Sequence, residues 1–256
     1  MEFHTAGDPV VVLDGGLATE LEAQGHDLGD ALWSARLLAD DPDAIVAAHR
    51  AFFRAGAAVA TTASYQASFD GLAARGVDRA AAAGLLRRSV ELARDAAASA
   101  GGRRWVAASV GPYGAVLADG SEYRGRYGLS VAALDVPAWL SYSIDGERTR
   151  AGQPLADAFA VAAGVPQIVA VGVNCCAPAD VPDAVALARE ITGKPVIAYP
   201  NSGEGWDARA RAWTGPPRSG PEDARRWVAE GARIVGGCCR VGPAGIARLA
   251  EGLGRS

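Results

Sequence analysis

Two textures of apolar residues alternate along the chain. Short continuous runs rich in β-branched residues occupy 10–13, 57–62, 105–110, 137–144, 168–174, 195–199 and 232–235. Such unbroken runs predict parallel strands covered on both faces. Between them, apolar residues recur every three or four positions over 17–24, 43–55, 79–99, 154–164, 181–191, 220–230 and 243–253, which predicts helices. Glycines punctuate the change: Gly25, Gly56, the pair Gly101-Gly102 and Gly231 each stop a predicted helix. Pro243 opens the last helix in its first turn, where no N–H is missed.

The stretches Arg-Ala-Gly-Ala-Ala-Val-Ala, Ala-Ala-Gly-Val-Pro-Gln-Ile-Val-Ala and Ala-Glu-Gly-Ala-Arg-Ile-Val all place a glycine just before a strand, as repeated βα units do. The rhythm breaks over 115–136, which is mostly loop chemistry with one turn of possible helix at 131–134. Parallel neighbours need a crossover of a dozen or more residues, so this gap is where the pattern is weakest. Seven strands with polar motifs after their C-terminal ends fit a (β/α)8 barrel. A doubly wound open sheet is the alternative, although no Gly-x-Gly-x-x-Gly follows the first strand.

Composition narrows the class. The 256 residues are 50% hydrophobic and 21% charged with a net charge of −4, values of a globular protein with a large core. There is no basic stripe for nucleic acid. No apolar run reaches the ~18 residues of a membrane span, and the first residues lack a secretory pattern, so a cytoplasmic protein is expected. The charged face of 84–94 reads as solvated. His4, His26 and His49 have no metal spacing and read as ordinary surface histidines.

The four cysteines form two adjacent pairs, Cys175-Cys176 and Cys238-Cys239, each closing a short apolar run. Two strands thus deliver thiols to one end of a sheet. Neighbouring side chains on a strand point to opposite faces, so Cys238 and Cys239 can share an ion only where the backbone turns, which Gly236 and Gly237 would permit. Three thiolates on Zn²⁺ with an open fourth position is a catalytic arrangement. The alternatives are buried thiols acting as small hydrophobes and a strained vicinal disulfide. Asp14, ahead of Gly15-Gly16 and a predicted helix, reads equally as an N-cap or as a ligand.

Taken together, Asp14-Gly15-Gly16, Leu32-Trp33-Ser34-Ala35-Arg36, Thr61-Thr62-Ala63-Ser64-Tyr65-Gln66, Gly172-Val173-Asn174-Cys175, Tyr199-Pro200-Asn201-Ser202-Gly203-Glu204 and Gly236-Gly237-Cys238-Cys239 resemble the homocysteine S-methyltransferase family over nearly the whole chain. The resemblance implies a zinc-dependent TIM (β/α)8-type barrel in one domain, 1–256. Cys175, Cys238 and Cys239 would be the metal ligands, with homocysteine sulfur in the fourth position and Cys176 as a neighbour. It implies that Asp14 and Gly15 hold the amino acid end of homocysteine, that Trp33 and Tyr65 lie on the methyl-donor side, and that Asn174 belongs to the substrate site.

The chain departs from the family between 115 and 136. Members usually carry there a helix, a strand ending in a Cys-Glu-Thr-like motif and another helix, and the glutamate of that motif helps bind the homocysteine amino group. About one βα unit is thus missing, and a seven-strand barrel would leave edges open to self-association as a homo-oligomer. The expected reaction moves a methyl group from S-methylmethionine, or from S-adenosylmethionine, to the homocysteine thiolate, forming methionine. Two readings from other classes stay open: a zinc-binding remnant without turnover, and a redox protein using the vicinal cysteines.

Overall fold

The computed structural model describes residues 10–29, 36–111, 136–207 and 212–255. In chain order they form β1 (Val11–Val12), α1 (Leu17–Ala23), α2 (Leu37–Asp40), α3 (Pro42–Arg54), β2 (Val59–Thr61), α4 (Phe69–Ala73), α5 (Arg79–Ser99) and β3 (Trp105–Ala107). Then follow β4 (Ala138–Asp145), β5 (Arg148–Thr149), α6 (Leu155–Ala163), β6 (Ile168–Asn174), a 3₁₀ turn (Pro178–Asp180), α7 (Val181–Thr192) and β7 (Val196–Tyr199). The chain closes with β8 (Gly205–Asp207), β9 (Ala212–Thr214), α8 (Pro221–Glu230), β10 (Ala232–Val235) and α9 (Pro243–Gly252).

Local chemistry sets the helix ends. Asp41 accepts from the Ala44 N–H at 3.2 Å with Pro42 in the first turn of α3, and Asp78 accepts from the Ala81 N–H at 2.8 Å to open α5. Each satisfies a backbone donor that the helix itself cannot pair, worth about 1 kcal/mol. Gly193 ends α7 in the left-handed conformation, at φ +63°. Here a residue with a Cβ would be strained.

β1, β10, β7, β6 and β4 pair in that order, all parallel, and β5 adds an antiparallel edge beside β4. On the other flank β2 and β3 pair in parallel, with Val59 opposite Trp105. A parallel bridge between Leu13 and Val59 joins the two groups, with the Ala58 N–H donating to Val12 O at 2.7 Å. The parallel strands therefore run β3, β2, β1, β10, β7, β6, β4. This is an α/β fold whose first strand lies beside its last.

One face of these strands buries Leu13, Val59, Ala170, Ile197 and Ile234, with Trp105, Ala107, Trp139 and Tyr199 packed against them. The other face carries the helices, which bury Ile45, Phe52, Phe159, Val185 and Trp227 among others. Both faces are covered, as the unbroken apolar runs require.

The predicted strands and helices are all present with ends shifted by a few residues, and the charged residues of α5 (Arg87, Arg88, Glu91 and Arg94) face solvent. The possible turn at 131–134 and His4 lie outside the described residues. His49 corrects the sequence reading. It is fully buried on α3, in line with Ile45 and Phe52, and burial alone lowers its pKa to about 4. His26 is half-buried in the turn after α1.

Candidate metal centre

β6 and β10 end at the same edge of the sheet, and there the chain gathers its thiols. Cys175 follows Asn174, the last residue of β6, and takes a left-handed φ of +48°, turning its side chain out of the strand's alternation. Its N–H donates to Tyr199 O at 3.3 Å. Cys238 is fixed by its N–H to Pro200 O (2.8 Å), and its carbonyl accepts from Val241 N–H at 3.1 Å.

Gly236 and Gly237 do not act as expected. Neither takes a positive φ; what they provide is room. A Cβ on Gly236 would lie 2.6 Å from Leu13 Cβ and 2.8 Å from Asp14 O, and one on Gly237 would collide with the Val241 side chain. The left-handed residues of the site are Cys175 and Arg240, at φ +66°.

The sulfurs of Cys175, Cys238 and Cys239 all lie within 4.8 Å of one another, with Cys238 and Cys239 at 4.0 Å. Tetrahedral Zn²⁺ with Zn–S bonds of about 2.3 Å sets its sulfurs roughly 3.8 Å apart, so the trio fits such an ion with little adjustment. Without a metal the three thiols cannot all ionise. Cys239 is drawn well below its ordinary range because Cys175 and Cys238 hydrogen-bond to it. Cys238 is held well above, through its hydrogen bonds to Cys175 and Cys239 and then through burial. Hydrogen bonding from Cys238 favours the Cys175 thiolate, but its bond to Cys239 and burial outweigh that and raise it. Close together and buried, the three sulfurs disfavour one another's ionisation, a set of donors suited to a cation.

Cys176 stands apart. It is fully buried, burial pushes its thiol up to about 12, and it is not in the cluster. Asn174 also hydrogen-bonds the Cys175 sulfur. Adjacency in Asn-Cys was its signal in the sequence.

Asp14 lies beside the trio's backbone, its carbonyl accepting from the Gly237 N–H at 3.1 Å. The N-cap of α1 is Gly16, with no side-chain hydrogen bond, so the capping role does not hold for Asp14. Its carboxylate instead accepts from the Thr61 N–H (2.5 Å) and the Thr61 hydroxyl (2.8 Å). It is 2% exposed, and burial raises its pKa to about 7 against the lowering effect of Thr61. Gly15 is packed under Val241 O and Phe52, with no space for a side chain. Tyr65, 39% exposed, follows β2 at the same edge. Trp33 lies outside the described residues.

Sequence reasoning assigned no role to Glu204, Ser202 or Arg240. Glu204 accepts from Ser202 Oγ at 2.7 Å and from Arg240 Nε and Nη2, each at 3.3 Å. The pairing joins residues 36 apart, which no local pattern announces.

Comparison with known proteins gives the site its context. The homocysteine S-methyltransferase family profile matches residues 11–135 and 126–253. The homocysteine S-methyltransferase of Escherichia coli is 40% identical, covering 94% of each chain, and Bacillus subtilis homocysteine S-methyltransferase YbgG is 38% identical with the same coverage. The crystal structure of the metallated form of the E. coli homocysteine methyltransferase MmuM superposes with a TM-score of 0.82 at 38% identity, covering 96% of each chain. The E. coli sequence alignment runs over 294 positions, 38 more than the chain has residues, and the two profile matches meet at 126–135. Positions that the relatives have are therefore missing at the break in the βα rhythm. Among the described residues no helix is long and apolar enough to cross a membrane. On the matches along almost its whole length, the chain belongs to the homocysteine S-methyltransferase family.

Proposed function

We propose that the protein transfers a methyl group from S-methylmethionine, with S-adenosylmethionine as second choice, to homocysteine, through Zn²⁺ held by Cys175, Cys238 and Cys239. The observation that carries the reading is the gathering of those three sulfurs, from two strands, within 4.8 Å. Zinc bound there would keep the homocysteine thiol deprotonated at neutral pH, where a free thiol is mostly protonated.

The chain's own residues do the rest. Three cysteinates leave the site negatively charged, which keeps electron density on the substrate sulfur. Asp14, fixed by Thr61, presents a carboxylate to the homocysteine ammonium, and the Gly15 backbone beside it helps hold the amino acid end. Tyr65, with Trp33, supplies aromatic faces for the onium centre of the donor. A new S–CH₃ bond forms as the donor's S⁺–CH₃ bond breaks. The electron pair of the broken bond neutralises the leaving sulfur, and the thiol proton has already gone to solvent. With S-methylmethionine both products are methionine. Alignment of the two reactants lowers the barrier further.

The strand order supports a barrel. Strands consecutive in the chain are neighbours and the first lies beside the last, which an open doubly wound sheet of order 3-2-1-4-5-6 does not show. We infer a (β/α)8-type barrel in one domain, 1–256, short of one βα unit between β3 and β4. Reduced cysteines fit a cytoplasmic setting. The names of the quoted relatives favour neither a remnant nor a redox protein.

The test is methionine formation from homocysteine with each donor in turn. Wild-type protein is expected to turn over S-methylmethionine faster than S-adenosylmethionine. Cys239→Ser should abolish turnover, and Asp14→Asn should raise KM for homocysteine at least tenfold at unchanged zinc content. Equal turnover by Cys239→Ser would refute the mechanism.

A further inference from the structure

We propose that Glu204 is a positioning residue for Cys239, acting through Arg240 and Ser202; the inference rests on the three-thiol reading of the site. The four residues close a ring. The Cys239 carbonyl accepts from the Ser202 N–H at 3.1 Å, and the Ser202 hydroxyl donates to Glu204 at 2.7 Å. The Glu204 carboxylate takes the Arg240 guanidinium on both oxygens, and the peptide bond from Arg240 leads back to Cys239.

The ring holds a backbone that would otherwise relax. Arg240 has φ +66°, a left-handed conformation that is strained for a residue with a Cβ. Its N–H donates to Thr19 Oγ1 at 3.0 Å, so α1 grips the turn from one side and Glu204 from the other. The turn thus fixes the Cys239 backbone on both sides, through its carbonyl and through the Arg240 N–H. The ion pair is half open, with Arg240 41% and Glu204 9% exposed, so its own energy is small and its effect is to fix geometry. Besides the two guanidinium bonds Glu204 receives the Ser202 hydroxyl, so its carboxylate has partners on both sides. Glu204 is also the natural hub, since it touches the loop after β7 and the turn after β10 together. Partners of this kind, one layer out from metal ligands, typically contribute 10- to 100-fold in metal affinity.

The experiment measures zinc affinity by chelator competition for wild type, Glu204→Gln, Arg240→Gln and the double variant. It also measures the visible absorption of each cobalt-loaded protein. Each single change should weaken zinc binding by about 10- to 100-fold. The double variant should be no worse than the weaker single, because both break one ring. The cobalt–thiolate bands should shift, and metal-free protein should lose far less stability than the zinc site loses affinity, which a general packing defect would not allow. Iodoacetamide labelling of metal-free protein gives a readout independent of zinc: the rate at Cys239 relative to buried Cys176 should differ from wild type in each variant, and unchanged rates would count against the ring. Zinc affinity within twofold of wild type in both single variants overturns the inference and leaves the metal reading standing. Additive losses, or losses matched by a fall in metal-free stability, also overturn it. A wild type that holds no zinc, but whose variants alter Cys239 labelling, would refute the metal reading and retain the ring.

Discussion

The Asp14 carboxylate accepts both the backbone N–H and the hydroxyl of Thr61, so the end of β1 is clipped to the end of β2 by one side chain. Its burial opposes this, pushing the pKa from 3.8 to about 7. A carboxyl held above its unfolded value binds its proton more tightly in the folded chain. Ionising it therefore costs stability as pH rises from 3.8 towards 7, by at most ~4 kcal/mol at 1.36 kcal/mol per unit. Asp14→Asn should remove that slope. Urea unfolding at pH 5 and pH 8 should show wild type losing more stability between the two than the variant; parallel losses would contradict the reading.

His49 has the opposite sign. Burial holds it neutral, with its pKa lowered from 6.5 to about 4, and neither ring nitrogen has a partner among the described residues. The unfolded chain takes up the proton first. Stability is complete above 6.5 and falls as pH drops towards 4, by up to ~3 kcal/mol. His49→Leu should be the more stable protein at pH 5, by thermal melting, with a smaller advantage at pH 8.

That histidine also shows what the sequence offered and what it withheld. His49 lies four residues after Ile45 and three before Phe52, so helical spacing already placed it on the apolar face of α3; its polarity obscured this. The bounds of β6, β10 and α5 were readable because glycines or a sharp change in polarity delimit each run. The hairpin of β8 and β9 was not, since no Asn-Gly or Asp-Gly turn marks it and its pairing of Trp206 with Trp213 is a tertiary fact. The short α4 was hidden in loop chemistry, though Ser68 caps it by accepting from the Gly71 N–H. The cysteine pairs announced the site. Which three of the four converge depends on the left-handed turn at Cys175, which pattern alone does not give.

Gly236 is predicted to be irreplaceable for a reason of space. Gly236→Ala would press its methyl against Leu13 and the Asp14 carbonyl, at 2.6 and 2.8 Å, and a backbone atom cannot yield as a side-chain tip does. Overpacking of this kind costs about 1–3 kcal/mol and would shift the turn that carries Cys238. Lower denaturant resistance together with weaker zinc binding is expected. Unchanged values in both would show that the close approach is not needed.

The central claim is a metal centre made by three of the four cysteines, and zinc content per chain in single alanine variants tests it most directly. The account predicts one zinc per chain in wild type and in Cys176→Ala, and loss of tightly held zinc in Cys175→Ala, Cys238→Ala and Cys239→Ala. Full zinc in any of those three, or its loss in Cys176→Ala with the fold intact by circular dichroism, would contradict it.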